Sequence, residues 1–128
     1  MSEVPPEQQP IPLVKFSGTP EYAPQPVSAG KDVAIICELV NMGTGPTSAA
    51  DQLWGSLVVH DTAIHQEHQN LDSPPVEPDG GSQRYSFNFD GRFLAAAEDW
   101  SIALAVTNAA GEIADEASVS FKVGPSPD

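Results

Sequence analysis

The sequence predicts an antiparallel β-sandwich of about seven short strands. Three observations carry that expectation. Apolar residues recur at every second position in several separate segments, as they do in a strand with one buried face. Thirteen prolines and ten glycines fall largely between those segments, and both residue types punctuate turns rather than extend helices. Only residues 92–99 (RFLAAAED) carry helical propensity. One or two helical turns are expected there, crossing between strands. A chain of 128 residues suits one domain with a single modest core.

The polar, proline-rich stretch 1–10 (MSEVPPEQQP) reads as a flexible tail, and 125–128 as a second, short one. The domain is therefore expected over 11–124. Its first strand is 12–17 (PLVKFS), where the leading proline suits a sheet edge. Residues 19–30 form a long connection broken by Pro20, Pro24 and Pro26. Residues 32–40 then alternate cleanly. Val33, Ile35, Cys37 and Leu39 make the core face, and Glu38 marks the other face as outward. Asn41 and Gly43 follow, and both are expected to turn the chain because they tolerate positive φ.

Residues 53–60 (LWGSLVVH) form the next strand, but both alternating sets hold large apolar residues, so its facing stays open. Residues 62–69 (TAIHQEHQ) suit a short edge strand, and 72–81 (DSPPVEPDGG) a loop. In 82–89, Tyr85, Phe87 and Phe89 alternate with Arg84, Ser86 and Asn88. In 98–107, Trp100, Ile102, Leu104 and Val106 face inward. In 117–123, Val119, Phe121 and Val123 do the same.

Net charge is −13, with Lys15, Lys31, Arg84, Arg92 and Lys122 as the only cations besides histidine. Five scattered cations cannot neutralise a run of phosphates, which excludes a nucleic-acid partner. The same charge disfavours anionic lipid. No apolar run reaches membrane-spanning length, so no membrane insertion is expected. The N-terminus lacks the basic and apolar regions of a signal peptide. The expectation is a cytoplasmic chain by default; a virion component or a protein secreted without a conventional leader carries the same signature.

The segment 13–49 resembles the opening of the bacterial CARDB domain, a cell-adhesion-related family. The residues that carry the resemblance are the strand 13–16, the Ala29-Gly30 turn, the alternating strand 33–40 and Asn41-Met42-Gly43. Pro78-Asp79-Gly80-Gly81 before 84–89 is similar to the family's turn and aromatic strand. The stretch 105–116 (AVTNAAGEIADE) is similar to its strand, turn and acidic element, with Glu116 near the usual glutamate. The resemblance implies an immunoglobulin-like sandwich over roughly 11–124. It implies a spacer, adhesion unit or carbohydrate- or protein-contacting accessory, with no catalytic residues to transfer. Antibody-type sandwiches pair a cysteine on such a strand with a disulfide partner and a core tryptophan. Cys37 takes the cysteine place and Trp54 is a candidate for the tryptophan, but no second cysteine exists. Cys37 then reads as a small buried hydrophobe; a reactive thiol would need exposure and a lowered pKa.

Few constellations offer chemistry. His60, His65 and His68 lie near Asp61 and Glu67 and could ligate zinc, copper or nickel. On an extended strand His65 and His68 point to opposite faces, so they converge only in a turn or helix. Otherwise they are polar residues of an edge strand, which discourage pairing with another chain. Among the acid clusters, Glu112, Asp115 and Glu116 offer the best calcium candidate, yet the 111–116 turn also reads as a solvated face. No G-x-S-x-G elbow and no phosphate-binding glycine loop occurs. No cofactor is expected, with calcium as the alternative. The pattern does not fix Tyr22, Trp54 or Phe93 in the core, and aromatics beside polar groups are common binding anchors; if Trp54 is the core tryptophan, Tyr22 and Phe93 remain as the anchors for a partner.

These readings converge on a non-catalytic structural or protein-interaction module of a larger bacterial or phage-type assembly. The alternative is a carbohydrate- or calcium-dependent surface adhesion module. A small histidine-based metalloprotein is the distant third. A protein partner is expected first and carbohydrate second; the oligomeric state is not legible.

Overall fold

A computed structural model describes residues 11–126 apart from Ser73. The expected tail 1–10 lies outside the described residues, as do 127–128 of the second tail. Nine strands occur among the described residues. They are β1 (Val14–Phe16), β2 (Glu21–Ala23), β3 (Val27–Ser28), β4 (Val33–Asn41), β5 (Gln52–Val59), β6 (Thr62–Asn70), β7 (Gly81–Phe89), β8 (Ala97–Thr107) and β9 (Ile113–Gly124). They build the two facing sheets of an immunoglobulin-like sandwich.

The alternating run around Cys37 becomes the middle of the first sheet. β4 pairs antiparallel with β7 on one side, and with β1 and β2 end to end on the other. The second sheet runs β3-β9-β8-β5-β6, antiparallel except for β3 against β9. The two extra strands explain why nine stand where about seven were expected. They arise within 19–30, where the prolines break one sheet edge into short pieces. β2 continues the β1 edge along β4, and β3 crosses to the other sheet.

The inward faces agree with the alternation. Val33, Ile35, Cys37 and Leu39 are at most 5% exposed; Trp100, Ile102, Leu104 and Val106 at most 2%. Burying each large apolar side chain stabilises the fold by about 1.5–3 kcal/mol. The open facing of 53–60 also resolves. Leu53, Gly55 and Leu57 point inward, and Trp54, Ser56 and Val58 outward. Gly55 leaves room for the Phe87 ring, since a Cβ there would stand 2.9 Å from it.

Two expectations fail. Residues 92–99 form no α-helix: a single 3-10 turn spans Gly91–Phe93, and β8 starts at Ala97. Sheet pairing of Ala97 with Val123 overrides the local propensity. Asn41 and Gly43 also lack positive φ. Asn41 is the last residue of β4 and is fully buried. Its Oδ1 accepts from Leu13 N (3.0 Å) and Gly43 N (2.9 Å), while Nδ2 donates to Gly45 O and Val76 O (both 2.9 Å). Gly43 is required by contact: a Cβ would lie 2.3 Å from Ile11 O.

Candidate functional site

The outward face of the five-stranded sheet carries an aromatic side chain in a groove. Trp54, one candidate for the core tryptophan, is turned outward by its strand and is half-buried there. The core tryptophan is Trp100, whose Nε1 donates to Ala95 O at 2.9 Å. Register places His68, Trp54, Ala105 and Glu116 side by side across β6, β5, β8 and β9. The next row is Gln66, Ser56, Ala103 and Ser118.

The groove follows from this order. Ala103 and Ala105 present only methyl groups, so β8 forms a trough between the taller side chains of β5 and β9. Its volume is about 340 Å³, and Trp54, Ser56, Gln66, Thr107, Ile113 and Glu116 form its walls. The indole is held on two sides. Its Nε1 donates to Thr107 Oγ1 at 3.1 Å. The His68 ring lies beside it on β6, with centroids 4.6 Å apart and planes 31° from parallel. Gln66 Nε2 donates to Ser56 Oγ at 2.9 Å, which orders the polar end. Ile113 is 56% exposed on the rim. Other depressions among the described residues include one that abuts Ile11 and Pro12, next to the undescribed stretch, and a polar notch between Ser17 and Arg84. Neither has an aromatic wall.

The other sequence candidates are dispersed. β6 is extended, so His65 and His68 face opposite ways. His60 sits with Asp61 at the tip of the β5–β6 hairpin, both at positive φ, and its Nδ1 is 2.7 Å from Asp99 Oδ2. His65 Nε2 is 3.0 Å from Glu67 Oε2, and its ring stacks on Phe93 with centroids 4.5 Å apart. Each histidine has its own partner. No three His, Cys, Asp or Glu side chains among the described residues converge as a metal site requires. Asp115 does structural work: its Oδ2 accepts from Phe16 N (2.9 Å) and its Oδ1 from Glu116 N (2.9 Å). Glu112 lies exposed in the β8–β9 turn, and Glu116 faces the groove.

Both proposed aromatic anchors are partly buried against the core. Tyr22 packs on Phe121 (centroids 5.1 Å). Phe93 lies between His65 and the Arg92 guanidinium, 4.9 Å from its centroid. Cys37 is buried, and burial pushes its thiol up to about 11. It stays protonated and unreactive at neutral pH.

No helix among the described residues is long and apolar enough to cross a membrane. No family model and no curated protein matches the sequence. Solved structures do match in fold. A β-glucuronidase from Bacteroides uniformis is 13% identical over 87% of this chain, with a TM-score of 0.66; the match covers 14% of the enzyme's length. The C-terminal domain of wzt is 11% identical over 97% of this chain and 83% of its own, with a TM-score of 0.57. The CARDB domain of a Pyrococcus furiosus protein is 13% identical over 94% of this chain and 99% of its own, with a TM-score of 0.49. At these identities the likenesses are of fold alone, and the chain is an immunoglobulin-like β-sandwich.

Proposed function

We propose that this chain is a non-catalytic module that works by contact, presenting the outward face of its five-stranded sheet to a partner within a larger assembly. The observation that carries this reading is Trp54. Its indole is half-buried on the outward sheet face, where it walls a groove and is oriented by Thr107 and His68. Aromatic side chains held rigidly at a surface are the usual anchors of binding energy. The dispersed histidines and the protonated Cys37 support contact rather than catalysis. The same sandwich as a small part of a long glucuronidase chain is consistent with a tethered module.

The test is capture from native lysate on the immobilised wild-type chain, with Trp54→Ala and Ile36→Ser as companions. Ile36 is exposed on the opposite sheet. The expected outcome is a partner retained near stoichiometry by wild type and Ile36→Ser and lost with Trp54→Ala. Equal capture by all three, or a blank, would count against this face.

A further inference from the structure

We infer that the Trp54 groove takes a neutral or amino-sugar oligosaccharide; this rests on the contact reading above and names its ligand. A pyranose offers an apolar C–H face and a rim of hydroxyls. The groove offers the matching pair of surfaces. With His68 beside the indole on the β6 side, the trough over Ala103 and Ala105 lies on the β8 side. A sugar ring laid there sets its C–H face against the electron-rich indole. Around it stand the Gln66 amide, the Ser56 and Thr107 hydroxyls and the Glu116 carboxylate. Amide and hydroxyl groups donate and accept, as sugar hydroxyls do, and the carboxylate accepts from two at once.

Dimensions agree. Trp54 and Glu116 stand two strand spacings apart, about 10 Å, and Ala103 to Thr107 extends about 14 Å along β8. The volume of about 340 Å³ falls in the range of small-ligand sites, about 300–1,000 Å³. The chemistry also selects against competitors. Among the described residues no cation lines the groove, and Glu116 repels carboxylates and phosphates. An extended peptide gains most from main-chain pairing at a free sheet edge. Here β5 and β8 are interior strands, so their main-chain groups are already paired.

The experiment titrates tetrasaccharides of glucose, mannose and N-acetylglucosamine, plus glucosamine, into the intact chain, read by calorimetry and tryptophan emission. Trp100 is buried, so a ligand-induced shift reports Trp54. One probe is expected to bind saturably and shift the emission. Trp54→Ala should weaken it at least tenfold, about what loss of a central aromatic anchor costs. Ala105→Phe fills the trough and should block binding while keeping the indole. Unchanged thermal unfolding of both variants shows that the fold is intact. Binding that ignores both substitutions would overturn the assignment, as would no response to any probe at millimolar concentration. Periodate treatment of the lysate separates the two readings. Partner capture that survives sugar oxidation yet still needs Trp54 sinks the saccharide inference and leaves the contact module standing. Capture that no longer depends on Trp54 sinks both.

Discussion

Cys37 and Tyr85 face each other across the β4–β7 pair, and burial acts on both in one direction. The Cys37 thiol rises to about 11. The Tyr85 hydroxyl is also raised, first by burial and then by the neighbouring Cys37. An acid whose folded pKa is raised resists ionising in the native state, while the unfolded chain ionises at its ordinary value. The stability it contributes is whole below that ordinary value, near 9 for the thiol, and is lost as pH climbs toward about 11. Two pH units correspond to at most about 2–3 kcal/mol. Urea unfolding should therefore show a midpoint that falls between pH 8 and pH 10.5. Cys37→Val should flatten part of that fall and leave the share due to Tyr85. A midpoint with the same pH dependence in both proteins would contradict the argument. The core role of Cys37 was legible because its neighbours alternate without a break. The outward place of Trp54 was not, because Gly55 empties an inward position that only Phe87, a residue of the other sheet, explains.

At the scale of elements, the end of β4 is where a turn motif becomes a joint. Asn41 satisfies Leu13 N before β1, Gly43 N and Gly45 O after β4, and Val76 O of the loop before β7. Thr47 extends the joint: its hydroxyl accepts from Val76 N at 2.7 Å and donates to Leu71 O. Asn41→Ala would leave several buried backbone groups unpaired, each costing about 1–3 kcal/mol where water cannot reach. The expected loss is about 3–5 kcal/mol in urea unfolding, with faster amide exchange at Leu13 and Gly43 before global unfolding. A loss under about 1 kcal/mol would mean that water enters and replaces the side chain. The strands themselves were legible wherever one face is buried, because a period of two records burial directly. The short edge strands β2 and β3 were not, because their pairing comes from β4 and β9, far along the chain. For the same reason the helical propensity of the alanine run gave way when Ala97 entered the β8–β9 ladder, while Leu94 before it, 3% exposed, joined the core.

For the molecule as a whole, the groove shows why a site can hide in a readable sequence. Trp54, Gln66, Ala105 and Glu116 lie on four strands, and only register brings them together. No local pattern records register between distant strands. Net charge is legible at once, and it makes a prediction of its own. With −13 on 128 residues, the folded chain holds like charges closer together than the unfolded chain does. Screening relieves that repulsion, since the Debye length falls from about 30 Å at 0.01 M salt to about 8 Å at 0.15 M. Raising sodium chloride from 0.01 M to 0.3 M should therefore raise the melting temperature. About 1 kcal/mol of relieved repulsion corresponds to roughly 3–6 °C for a domain of this size. A flat or falling melting temperature would mean that the acids are already balanced locally. The same titration bears on the groove. Stacking on Trp54 and hydrogen bonds to neutral hydroxyls are barely screened, so saccharide affinity should hold across this range. A basic protein partner drawn by the net charge would instead bind at least tenfold more weakly at the higher salt.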